Sequence, residues 1–175
     1  MSKLDIQISF FLQNMKKIIF FLIFFTSNLA YAETNLPKCE GENFKNWSDS
    51  YGEKKTDIYH YEGQWKNGKK NGNGKIYFLK TDEKYVGKFK NDLKEGMGIF
   101  YYKDKDVYVG FWKDDVRHGI GTKIYINGDI YHGEYKNGYR HGKGTFEYIN
   151  GLKYEGNFKK GKRDGYGKQT FNGKV

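Results

Sequence analysis

One short pattern returns five times along the chain at an almost constant interval. It begins as Tyr61-Glu62-Gly63-Gln64-Trp65-Lys66 and returns as Tyr85-Val86-Gly87-Lys88-Phe89-Lys90 and Tyr108-Val109-Gly110-Phe111-Trp112-Lys113. Tyr131-His132-Gly133-Glu134-Tyr135-Lys136 and Tyr154-Glu155-Gly156-Asn157-Phe158-Lys159 complete the series. The leading tyrosines stand 24, 23, 23 and 23 residues apart. A Gly-x-Gly pair rides with each: Gly72 and Gly74, Gly96 and Gly98, Gly119 and Gly121, Gly142 and Gly144, Gly165 and Gly167, always 11 and 13 residues after the tyrosine. Self-similarity at such a period marks a stack of like supersecondary units, each burying its apolar face against its neighbours.

Within a unit, tyrosine, glycine and a second aromatic alternate with polar residues, the period of a strand with one special face. Turn residues follow at Asn67-Gly68, Asn91-Asp92, Asp114-Asp115, Asn137-Gly138 and Lys160-Gly161. A second strand then runs from the Gly-x-Gly pair to an aromatic: Phe78, Tyr102, Tyr125, Tyr148 or Phe171. Asn127-Gly128, Asn150-Gly151 and Asn172-Gly173 turn the chain again, the strongest short-range hairpin signal. Composition agrees: 23 glycines, 19% aromatics and a single proline disfavour both a helix bundle and simple disorder. The expected fold is all-β, an elongated, twisted, single-layer antiparallel sheet of hairpins joined as a meander. Ten strands would span roughly 45–50 Å. Glycine weakens a strand unless a neighbouring ring lies over the bare backbone, so Trp65, Phe89, Trp112, Tyr135 and Phe158 are expected to form one ladder and the 78-to-171 column another. Lys123 and Gln169 hold inward positions that are Ile76, Phe100 and Phe146 elsewhere, which predicts looser packing there.

These residues resemble the MORN repeat (membrane occupation and recognition nexus), written Y-x-G-x-W-x-x-G-x-x-x-G-x-G. The resemblance divides the chain into units 61–84, 85–107, 108–130, 131–153 and 154–175, whose Tyr61 and Gly63, Tyr85 and Gly87, Tyr108 and Gly110, Tyr131 and Gly133, and Tyr154 and Gly156 are the structural repeat positions. It implies a non-enzymatic module for protein contacts or for association with acidic phospholipid. MORN repeats also precede the catalytic part of some lipid kinases, but the repeats here leave no room for a kinase domain. Residues 33–60 read as an N-terminal cap, with Ser50 to His60 as half a repeat. Cys39, Trp47 and Gly52 resemble the leader of exported bacterial members, which often carries a second cysteine near Ser50; the resemblance implies a cap disulfide lost here.

Residues 1–32 have the layout of a secretory signal peptide: Lys16 and Lys17, an apolar run from Ile18 to Phe25, then Ala30-Tyr31-Ala32. Met15 heads the pattern and is an alternative start. An uncleaved anchor built from Ile6–Leu12 and Ile18–Phe25 is the competing reading, interrupted by Asn14, Lys16 and Lys17. The expected location is periplasmic or secreted, with peripheral membrane attachment open. The full chain has formal charge +10, and an exported basic chain meets membrane surface, anionic glycan or acidic protein rather than nucleic acid. Cys39, the single cysteine, is a free thiol or a link between two copies.

Stacking the units exposes two basic columns. Five residues after each tyrosine stand Lys66, Lys90, Lys113, Lys136 and Lys159; nine residues after it stand Lys70, Lys94, Arg117, Arg140 and Arg163. Both flank the first turn and are expected on one long edge, a candidate anion-binding strip; the alternative makes them solvated turn residues that keep an edge soluble. His118 and His141 are repeat equivalents roughly 10 Å apart, too far to share a zinc, and His60 and His132 read as surface histidines. No nucleophile–base pair, carboxylate pair or phosphate-binding loop is evident, so no cofactor, metal or small-molecule substrate is expected. The aromatic columns are either a stacking platform or simply packing. The partner is therefore a protein or an acidic membrane surface, with a homodimer through an edge strand or through Cys39 as a further option.

Overall fold

Tight left-handed turns set the architecture. In the computed structural model, which describes residues 36–41 and 43–173, both central residues of the first turn have positive φ in every unit: Asn67/Gly68, Asn91/Asp92, Asp114/Asp115, Asn137/Gly138 and Lys160/Gly161. That is the two-residue hairpin turn whose twist matches the flanking strands. The strands are β1 (Ser50–Lys55), β2 (Tyr59–Lys66), β3 (Lys69–Phe78), β4 (Glu83–Lys90), β5 (Leu93–Tyr101), β6 (Val107–Lys113), β7 (Val116–Ile124), β8 (Ile130–Lys136), β9 (Tyr139–Glu147), β10 (Leu152–Lys159) and β11 (Lys162–Phe171). They form one antiparallel sheet in chain order, preceded by a 3₁₀ turn at Phe44–Asn46. The expected signal segment 1–32, with Met15, lies outside the described residues. Ten strands were expected from the repeats; the eleventh is β1, whose Gly52 pairs with Gly63.

The glycines fall in register across the whole sheet. Gly52, Gly63, Gly74, Gly87, Gly98, Gly110, Gly121, Gly133, Gly144, Gly156 and Gly167 pair in succession, one per strand. Over this row lie the leading tyrosines. A Cβ added to Gly63 would meet the Tyr61 hydroxyl at 2.5 Å, and one added to Gly74 would meet Cζ of the same ring at 2.7 Å. Each hydroxyl then crosses the row and donates to the backbone carbonyl three residues on, as Tyr61 to Gln64 (2.9 Å), Tyr108 to Phe111 (3.0 Å) and Tyr131 to Glu134 (3.0 Å). Only the second glycine of each Gly-x-Gly belongs to the row. The first, such as Gly72 (φ 89°) or Gly96 (φ 66°), is left-handed at a β-bulge opposite the first strand.

The rings join into one zipper. Tyr61 meets Trp65 edge-on at 5.1 Å and Phe89 of the next unit at 5.2 Å; Tyr85 does the same with Phe89 and Trp112, and Tyr108 with Trp112 and Tyr135. Edge-to-face pairs at this separation are worth about 0.5–1.5 kcal/mol each beyond the area they bury. Tyr61, Tyr85, Tyr108 and Tyr131 are fully buried by this packing. At the N-terminal end Trp47 stands in for a preceding unit, edge-on to Trp65 at 5.2 Å.

The loops at Asn127-Gly128 and Asn150-Gly151 are three-residue turns closed by Tyr125 with Asp129 and by Tyr148 with Leu152, and only their glycines are left-handed. Lys123 is half-buried where Ile76, Phe100 and Phe146 are buried, but its ammonium is held 2.7 Å from the buried Asp106 carboxylate and lies between the rings of Tyr102 and Tyr125. Gln169 accepts from Arg163 at 3.2 Å on the exposed last strand.

Candidate functional site

Beside the first turns the two basic columns part. Lys66, Lys90, Lys113, Lys136 and Lys159 are exposed, and none has an ion-pair partner among the described residues. The second column turns inward over the rings and reaches for the turn of the following unit. Where that turn ends in aspartate the cation is lysine: Lys70 pairs with Asp92 at 3.1 Å and Lys94 with Asp115 at 2.8 Å. Where it ends in glycine the cation is arginine, donating to the backbone: Arg117 to the Gly138 carbonyl (2.6 Å) and Arg140 to that of Gly161 (2.7 Å). The matching explains how Asp92 and Asp115 hold left-handed positions, since each carboxylate also accepts the backbone N–H of its lysine at 2.9 Å. Arg163, in the last unit, stacks on Tyr154 and donates to the Tyr148 hydroxyl at 2.9 Å.

The aromatic columns are occupied in the same way. Tyr59, Phe78, Tyr102, Tyr125 and Tyr148 pack against the buried cluster, while Phe171 on the last strand is exposed. Burial holds the hydroxyls of Tyr61, Tyr85, Tyr108 and Tyr131 protonated far into alkaline pH, Tyr131 being pushed up to about 12 against an opposing effect of Arg140. His60 lies 2.9 Å from Glu53, and His132 meets the Thr122 hydroxyl at 2.9 Å. No group of three or more His, Cys, Asp or Glu among the described residues is placed to hold a metal ion. Cys39 lies in the cap, its Sγ 2.9 Å from the Ser50 hydroxyl; burial raises its thiol pKa, against hydrogen bonding that lowers it.

The opposite face shows what the repeat pattern hides. There the side chains next to the glycine row are not repeated in kind. Across strands β2 to β10 one row reads Glu62, Lys75, Val86, Ile99, Val109, Thr122, His132, Thr145, Glu155. Its charged ends enclose an apolar centre. Beside it Met97 pairs with Phe111, and Ile120 follows; on the other side Val107 pairs with Ile124 and Ile124 with Ile130. Phe111 and Ile120 are 48% and 49% exposed, and a shallow cavity of about 600 Å³ opens between these residues. The expected site residues omitted this patch. Its signal lay in the sequence as apolar residues clustered at outward-facing positions of the second and third units, against isolated Tyr77 and Tyr166 in the first and fifth.

The family profile of the MORN repeat matches residues 61–78, 85–107, 108–130, 131–153 and 154–173. The chain belongs to the MORN-repeat family. No curated protein matches it. MORN arrays are in general protein- or membrane-interaction modules and are generally not enzymes. In this MORN array one face is closed upon itself by rings and cations, and the surfaces left open among the described residues are the other face, the outer lysine column and the sheet edges.

Proposed function

We propose that this chain is an exported, non-enzymatic scaffold of the cell envelope that binds protein through the face opposite its tyrosines. One observation carries the reading: an apolar patch spans β4 to β8 where equivalent positions in the other units are mostly polar, Glu62, His132 and Glu155 in place of Val86 and Val109, and Asn73, Lys143 and Tyr166 in place of Met97 and Ile120. A single-layer sheet already stabilised on one face has no packing need for exposed Phe111 and Ile120 on the other. Export rests on the signal-like residues 1–32. Affinity capture from envelope extracts tests the reading. The wild-type chain should retain a defined protein that Ile120→Glu loses; a retained set identical for both chains argues against it.

A second reading is favoured by the outer lysines. Five exposed cations at the same turn position, without ion-pair partners among the described residues, suit anionic headgroups or an anionic glycan. Reversing Lys90, Lys113 and Lys136 to Glu leaves the inward column intact. It should abolish sedimentation with acidic vesicles; undiminished sedimentation dismisses this reading.

A further inference from the structure

The row beside the glycines on the second face has a particular order. Crossing β4 to β8 it runs Lys88, Met97, Phe111, Ile120, Glu134: cation, three apolar side chains, anion. Phe111 on β6 is its midpoint. Read in reverse, the row is itself with the charges exchanged. We propose that two copies of the chain dock through this face, related by a two-fold axis lying along β6. Such an axis keeps each row in place and reverses the strand order. Phe111 then meets Phe111 of the other copy, Met97 meets its Ile120, and Lys88 meets its Glu134.

The charges are available for this. Lys88 is exposed and has no ion-pair partner among the described residues. Glu134 Oε1 accepts the Lys143 backbone N–H at 2.8 Å, which fixes the side chain and leaves its other oxygen to accept. Gln64, at the same position of the first unit, makes the equivalent bond to the Asn73 N–H at 2.7 Å, so the local geometry does not require a charge. Any other occupant of the apolar centre has no such reason for a cation at one end and an anion at the other. The footprint bounds the affinity. Five strands at about 4.8 Å and three alternate residues along each cover roughly 500 Å² per copy. Stable interfaces bury roughly 800 Å² per partner, so this one is weak and concentration-dependent.

The inference rests on the second face being a docking surface, and the readouts separate the two ideas: dimerisation is read as mass, partner binding as capture. Sedimentation equilibrium under reducing conditions, which excludes a Cys39 link, should show a reversible monomer–dimer equilibrium in the wild-type chain. Phe111→Glu should leave a monomer. Lys88→Glu alone and Glu134→Lys alone each set like charges opposite one another twice and should weaken dimerisation about tenfold or more. An equimolar mixture of those two variants restores both pairs and should dimerise as the wild type does. Glu134→Gln keeps the backbone bond and should weaken the dimer several-fold with an unchanged unfolding midpoint. A wild-type chain monomeric to millimolar concentration overturns the proposal and assigns the face to residues preceding 36 or to a different protein. Dimers unaffected by Phe111→Glu, or a mixture no stronger than either variant, overturn it as well.

Discussion

Gly121→Ala tests the physical basis of the fold, because the added methyl has nowhere to go. A Cβ there would lie 2.6 Å from both Cε2 and Cζ of Tyr108. Carbon atoms in contact prefer about 3.5–4.0 Å, so the ring must retreat by roughly 1 Å. Tyr108 is fully buried between Trp112 at 5.3 Å and Tyr135 at 5.1 Å, and its hydroxyl donates to the Phe111 carbonyl at 3.0 Å. Overpacking costs about 1–3 kcal/mol, the hydroxyl bond about 1 kcal/mol, and part of two edge-to-face contacts about 1 kcal/mol more. Replacing glycine returns about 0.4–1 kcal/mol through the unfolded chain. The net expectation is about 3 kcal/mol of destabilisation. Gly165→Ala is the control: nothing lies within 4 Å of its Cβ, so only the left-handed strain at φ 69° remains, about 1–2 kcal/mol. Denaturant unfolding of Gly121→Ala, Tyr108→Ala and the double variant closes the argument. With the ring gone the methyl is harmless, so the double variant should be no less stable than Tyr108→Ala alone, a coupling of about 3 kcal/mol. Additivity of the two changes within about 0.5 kcal/mol would refute the claim that ring and bare backbone form one unit.

Other consequences follow from named contacts. Asp106→Ala leaves the Lys123 ammonium without its partner and should cost about 3–5 kcal/mol in denaturant melts, whereas Asp106→Asn with Lys123→Ile, the residue type of the first unit, should be near neutral. Ser50→Cys sets two thiols where Sγ and a hydroxyl now lie 2.9 Å apart; a disulfide closing this short loop should add about 3 kcal/mol, read as the difference between oxidised and reduced melts. Tyr61, Tyr85, Tyr108, Tyr131 and Tyr135 bind their protons more tightly folded than unfolded, so their contribution is complete below the unfolded value near 10. It falls with rising pH, by about 1.4 kcal/mol per pH unit for each such group as pH climbs toward about 12 at Tyr131. Circular dichroism and tyrosinate absorbance should therefore change together above about pH 10; ionisation of these tyrosines while the sheet persists would contradict the burial.

Period and turn chemistry made the sheet legible, because both are local. Two consecutive left-handed residues need no tertiary information, and 23-residue spacing places like strands in like positions. Contacts between units were less legible. The pairing of Lys70 with Asp92 joins residues 22 apart, and nothing in either unit alone shows that the cation turns inward. The ion pair of Lys123 was illegible for the same reason: its inward parity was visible, but its neutralising partner Asp106 lies across a loop in the preceding unit. The glycine row was half visible. The two glycines of each pair look equivalent in sequence, yet one is flat beneath a ring and the other left-handed at a bulge.

A repeat array also hides its function in whatever it repeats. Duplication carries every residue needed to fold a hairpin into each copy, so recurrent tyrosines, glycines and inward cations report on stability. Information about partners must lie where copies differ on a surface that does not fold the chain. On the tyrosine face the differences compensate one another, as aspartate with lysine and glycine with arginine at successive turns. On the second face they do not: Gln64, Lys88, Phe111, Glu134 and Asn157 share one position after the leading tyrosine, and only Gln64 and Glu134 make a common contact, to a backbone N–H nine residues on. Variation without compensation is what selection by an external surface leaves behind, and it concentrates on β4 to β8. Substituting Phe111 by Gln, the residue type of the first unit, should therefore leave the unfolding midpoint within about 0.5 kcal/mol of wild type while weakening association through that face. A large loss of stability would instead make Phe111 part of the packing and return the second face to the fold.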